Sequence, residues 1–144
     1  MTEESKHSYA ITLLIVHPDM DPKRISKALD TEPDMSRMAG KEYCTPNGTS
    51  LGLSRDTRWS CSSRIIDGER FFEPVRMAAG NYYRHKEFFR KIVDEGGRVE
   101  IIVNVPGKKN QGDTLDFATL EKLSEMKINL GLEVFPDWNL EDTP

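Results

Sequence analysis

Arg58-Trp59-Ser60-Cys61-Ser62-Ser63 is the stretch whose reading decides the fold. It holds one of the chain's two tryptophans and one of its two cysteines. Trp59, Cys61 and Ser63 fall on one side of a period-two alternation, Ser60 and Ser62 on the other, which is the pattern of a half-buried strand. A tryptophan on the inner side buries a large apolar surface, and its ring N–H needs a partner. The stretch is read as a central strand that anchors the core, running on to Ile65 or Ile66 and closed by the turn pair Asp67-Gly68.

Working outward, the segments before it supply a second strand and a helix. Tyr9 to Val16 is β-branched and almost wholly apolar, which predicts a central strand buried on both faces, ended by His17-Pro18-Asp19. Asp21-Pro22 opens a helix, with Asp as the cap and Pro at the first helical position. Ile25, Ala28 and Leu29 share its inner face, and Pro33 stops it. Asp34 to Gly40 is read as a connector, with Met35 and Met38 plugging the core. Lys41 to Cys44 reads as a short edge strand. Thr45 to Arg55, rich in Pro, Gly, Asn and Ser, reads as a long turn-like loop.

After the tryptophan strand, Glu69 to Gly80 predicts a short helix with Pro74 in its first turn. Tyr82 to Glu95 predicts a better one, with Phe88, Phe89, Ile92 and Val93 as its stripe and Gly96-Gly97 as its stop. Arg98 to Val105 is a strand with Val99, Ile101, Val103 and Val105 on one face. Pro106 to Gly112 is a polar loop. Asp116 caps a final helix whose inner set is Leu120, Leu123 and Met126. Ile128 to Phe135 is the last strand, stopped by Pro136, with Trp138 and Leu140 beyond it.

These segments predict an α+β single domain over residues 1–144, with 1–8 as a frayed leader and 137–144 as an acidic tail. The sheet is expected to be mostly antiparallel, with about five or six strands and two or three helices on it. Strand, Asp-capped helix and Pro-Asp recur at 9–34 and at 99–137, the outline of two related strand–helix–strand halves.

Composition narrows the function classes. Hydrophobic residues make up 37% and charged residues 31%, with net charge −4, so nothing pulls the chain as a whole toward nucleic acid or anionic membrane. The basic span from Arg76 to Lys109, including Arg84, Lys86, Arg90, Lys91, Lys108 and Lys109, is read as solvated surface. No apolar run approaches the roughly 20 residues of a membrane span. Without a signal-peptide core the expected location is cytoplasmic, with Cys44 and Cys61 as reduced thiols.

Candidate chemistry is sparse. Lys41, after Gly40, and Arg58 are the cations suited to an anionic ligand, and Trp59, Ser60 and Ser62 would line one wall beside them. Against this stands a core tryptophan on a strand whose serines bond to neighbours. Cys61 with His17 or His85 would make a thiolate–imidazole pair, but a cysteine on the face of Trp59 is expected to be buried and inert. His17, Asp19 and Asp21 cluster at a strand end, yet further metal ligands are missing and Asp21 is used by the cap. No catalytic residue, metal or cofactor is assigned.

The order of these pieces resembles a known family. The pieces are the first strand, Asp21-Pro22 with Ile25, Leu29 and Pro33, Gly40-Lys41, Trp59-Ser60-x-Ser62-Ser63, the Ile/Val strand, the helix with Leu120 and Leu123, and Ile128-x-Leu130-x-Leu132. From about Tyr9 to Phe135 the chain is similar to the bacterial domain-of-unknown-function family numbered 4279. The resemblance implies a compact bacterial α+β domain and no agreed substrate, cofactor or catalytic residue. The expected function is a non-enzymatic protein-binding module, of the immunity type by genomic analogy. The alternatives are a small-molecule binder or enzyme with its pocket near the Trp59 strand and the 45–55 loop, and a structural homo-oligomer.

Overall fold

The computed structural model describes residues 8–66, 70–106 and 112–135. Five strands form the main sheet: β1 (Ser8–His17), β2 (Met35–Arg37), β5 (Thr57–Ile66), β6 (Arg98–Pro106) and β7 (Ile128–Phe135). Their spatial order is β2-β5-β1-β6-β7. All neighbours are antiparallel except β6 and β7. Two short strands, β3 (Glu42–Cys44) and β4 (Ser50–Leu53), make a separate antiparallel hairpin. The helices are α1 (Pro22–Leu29), α2 (Glu73–Tyr82), α3 (Lys86–Asp94) and α4 (Phe117–Glu125). A 3-10 turn, Tyr83–His85, joins α2 to α3 without a loop. The α+β expectation holds.

The period-two pattern sorts the sheet into two faces. Tyr9, Ile11, Leu13 and Ile15 of β1, Trp59 of β5, and Val99, Ile101, Val103 and Val105 of β6 are buried on one of them. All four helices add apolar side chains to the same core: Ile25 and Leu29, Val75 and Ala79, Phe89 and Ile92, and Leu123. The other face carries Thr12, Leu14, Ser60, Ser62, Glu100 and Ile102, which are half-buried or exposed. β1 is therefore central, as its apolar run predicted, but only one of its faces is fully covered. Leu14 lies on the half-covered side.

Trp59 holds the place read for it. It is fully buried, it pairs with Ile15 on β1, and its ring N–H donates to Ser26 Oγ of α1 at 3.0 Å. One hydrogen bond thus fixes α1 over the sheet. Both expected caps are present: the Asp21 carboxylate accepts from the Lys23 N–H, and Asp116 accepts from the Thr119 N–H. Pro74 sits in the first turn of α2. The two suspected halves are both strand–helix–strand, but they differ in the sheet. β6 and β7 are adjacent and parallel, whereas β5 inserts between β1 and β2.

Several readings need correction. The Asp34–Gly40 connector contains β2, because the Asp34 N–H donates to the Ser60 carbonyl and starts a ladder along β5. Met35 is 36% exposed on that edge strand and plugs nothing. The Thr45–Arg55 loop contains β4. Thr45 closes the turn by accepting at Oγ1 from the Thr49 N–H, and Gly48 takes a positive φ. The 41–44 strand pairs with β4 and not with the main sheet. Leu120 is 47% exposed, and Thr119 takes its place inside. The true stripe is Thr119, Leu123 and Met126, tolerable because the Thr119 hydroxyl turns back to Asp116 at 2.9 Å. Asp67-Gly68, Lys108-Lys109, Trp138, Leu140 and most of the leader lie outside the described residues.

Candidate functional site

The sequence-derived site residues go to three places. Trp59 is in the core. Arg58, Ser60 and Ser62 line up along the half-covered face of β5, where the Arg58 side chain, the Ser62 hydroxyl and the Ser60 carbonyl are each engaged by neighbours. Arg58 faces Arg37 across the β2–β5 ladder, a like-charge pairing that would repel. Each cation is drawn to a separate partner: Arg58 Nε to Asp56 at 3.1 Å, Arg37 onto the Tyr43 ring at 4.2 Å. The Ser62 hydroxyl bonds to Thr12 Oγ1 at 2.8 Å, and its N–H donates to the Asp34 carboxylate at 2.6 Å. Lys41 is exposed. It lines a broad groove of about 950 Å³ between the start of α1, β2 and the β3–β4 hairpin. The walls of that groove include none of the four β5 residues, and its charges are mixed: Lys23, Arg37 and Lys41 against Asp21, Glu32 and Glu42.

The His17 cluster is a structural clasp. His17 Nδ1 accepts from the N–H groups of Asp19 and Met20 at 3.1 and 2.9 Å. The proton therefore sits on Nε2, which donates to Glu95 at 2.8 Å. Both nitrogens are used, and β1 is tied to the end of α3. No group of three or more metal-ligating side chains occurs among the described residues.

A different cavity combines an apolar floor with free polar groups. It holds about 530 Å³ and lies between α2 and the sheet, on the helix-covered face. Its cause is the end of cover on β5. α1 roofs Trp59, but two and four residues on, Cys61 is only half-buried and Ser63 is exposed. α2 stands over β1 and β6 and keeps small residues, Ala78 and Gly80, along the gap. Ile11, Leu13 and Ile101 form the floor, and Met77, Asn81, Tyr82 and Arg84 the rim. The volume is in the range of small-molecule sites.

The hydroxyl and amide groups of this cleft are not tied to neighbouring side chains. Among the described residues, the Tyr82 hydroxyl, the Ser63 hydroxyl and the Asn81 amide have no hydrogen-bond partner, and Arg84 has no carboxylate. Tyr82 is held in place by its ring, set edge-on against Phe89 with centroids 5.9 Å apart. Burial pushes its hydroxyl pKa up, with the neighbouring Cys61 adding to the effect. Burial likewise pushes the Cys61 thiol up, helped by the charge of Asp34. Both groups are neutral near pH 7, so they offer hydrogen bonds and no nucleophile. The lining contains one cation, Arg84, no Asp, Glu or His, and hence no general base for the thiol.

Sequence reading placed Cys61 on the inner face and expected an inert thiol, but it did not find the cleft. Asn81 and Tyr82 end α2, Arg84 lies in the 3-10 turn after it, and neither element carries a motif. Only the three-dimensional gap gives them a common target. Comparison with protein-family models, curated proteins and solved structures finds no match.

Proposed function

We propose that this chain is a non-catalytic binding domain whose site is the cleft between α2 and β5. Its ligand class is a small molecule with an apolar body and an anionic end. The observation that supports this most is a set of polar groups without a hydrogen-bond partner among the described residues, Tyr82, Ser63 and Asn81, beside one cation, Arg84, whose guanidinium meets the neutral ring of His85 at 3.4 Å and no carboxylate, all around an apolar floor. An apolar body on Ile11, Leu13 and Ile101 gains from leaving water. An anionic end at Arg84 gains a charge-assisted hydrogen bond. A ligand of this class also fits the expected location, a reducing cytoplasm, in which Cys44 and Cys61 stay free thiols.

Calorimetric titration with straight-chain and phenyl carboxylates, set against the matching alcohols, tests the reading. Carboxylates are expected to bind more tightly than alcohols. Arg84→Gln should weaken carboxylates about tenfold, roughly 1.4 kcal/mol, and leave alcohols unchanged. Equal binding of both series by the wild type and the variant would remove Arg84 from the site. No binding of either series would remove the cleft.

A further inference from the structure

β7 is an outer strand of the sheet, and among the described residues nothing pairs with its free side. Natural sheets protect such edges with short strands, lysines, prolines or bulges. β2, at the opposite edge, has three residues. β7 has eight, Ile128-Asn129-Leu130-Gly131-Leu132-Glu133-Val134-Phe135, with no lysine, proline or bulge among them and one charge, Glu133. It is also apolar on the surface. Leu132 is 51% and Val134 56% exposed. α4 packs beside β7 and runs against it, so Phe117 and Leu120, both exposed, stand near the same end.

We infer that β7 is a homodimerisation edge, pairing antiparallel with β7 of a second copy about a two-fold axis at Gly131. The strand is complementary to itself in that register. Ile128 meets Val134 of the partner, Leu130 meets Leu132, and Asn129 meets Glu133. Every inner-face pair is apolar, and the one charged residue faces an amide. Like charges do not oppose each other, which is the usual obstacle to pairing a strand with its own copy. Because antiparallel pairing preserves the faces, the two sheets join into one with all helices on the same side. The exposed starts of the two α4 helices then gain cover from the partner. The occupant is a second copy because the match is between the strand and itself, residue by residue.

Sedimentation velocity of the full chain at tens of micromolar tests this. The wild type is expected at twice the 16.4 kDa chain mass. Leu132→Lys should return it to one chain mass with an unchanged circular dichroism spectrum, since that side chain is half-exposed in the monomer. A second test fixes the register. Asn129→Cys/Glu133→Cys in a Cys44→Ser background should give a covalent dimer on mild oxidation, and Asn129→Cys alone should give none. Both positions are exposed, so folding is not at stake. A wild type that stays monomeric, with its edge open or covered by residues 136–144, overturns the inference. So does a dimer that survives Leu132→Lys, or one that the paired cysteines fail to cross-link.

Discussion

Trp59 shows how one side chain can place a helix. Its ring is fully buried between β1 and α1, and its only polar atom reaches Ser26. Replacing it with alanine removes the largest buried side chain of the core and should cost about 3–5 kcal/mol, read as a lower denaturant midpoint. Ser26→Ala keeps the volume but leaves the indole N–H unpaired, and should cost about 1–2 kcal/mol. Two residues along, Cys61 follows a different rule. Its thiol is pushed up by burial and by Asp34, so at a given pH it holds less thiolate than an ordinary cysteine. Iodoacetamide at neutral pH should label the exposed Cys44 well before Cys61, with the Cys61 rate rising only at higher pH. Peptide mass spectrometry reads both, and equal rates would mean that Cys61 is not shielded.

At the scale of elements, sequence patterns were legible wherever local chemistry decides the outcome. Asp21-Pro22 and Asp116 mark helix starts because the cap is made within three residues. The alternation in Trp59 to Ser63 and in Val99 to Val105 marks strands because one face must bury. β2 and β4 were not legible. Each is short, largely exposed, and exists through partners elsewhere: Ser60 for one, the 41–44 segment for the other. α2 is the instructive middle case. Its N-cap, Phe72, has no capping side chain. Asp113, 41 residues downstream, accepts from the Phe72 N–H instead, at 3.0 Å, and its side chain is only 2% exposed. Burial alone would raise its pKa. Hydrogen bonds from Thr114, Phe72 and Arg70, with the Arg76 charge, outweigh this and hold it below the usual 3.8. A depressed carboxyl adds stability above its unfolded pKa and loses it as pH falls through the folded value. Acid unfolding should therefore contain a component below pH 3.8 that Asp113→Asn lacks, and that variant should lose about 3 kcal/mol at neutral pH. The Gly96-Gly97 stop was read correctly, for two reasons. Gly96 takes φ +98°, and a Cβ on Gly97 would stand 2.3 Å from the Val16 carbonyl oxygen. Gly97→Ala should cost on the order of 2–3 kcal/mol and lower the melting temperature.

At the scale of the molecule, one sheet face is roofed by four helices of unequal reach, and the candidate site is where the roof ends. No sequence motif encodes that gap, because its residues come from β1, β5, β6, α2 and the 3-10 turn after it and are joined only by topology. Of the residues chosen from sequence, all but Lys41 share the tryptophan strand with the cleft, but Ser60 and Ser62 point to the opposite face from Cys61 and Ser63. The period that identified the strand also divides it between two environments. No helix among the described residues is long and apolar enough to cross a membrane.

The cleft as a ligand site is tested most directly by a nitrogen–proton correlation spectrum of the labelled chain, titrated with octanoate. The account predicts shifts concentrated at the amides of Cys61, Ser63, Ala78, Tyr82 and Arg84, weakened by Arg84→Gln. Shifts centred instead on the groove of Lys41 and Tyr43, or no shifts at saturating octanoate, would contradict it.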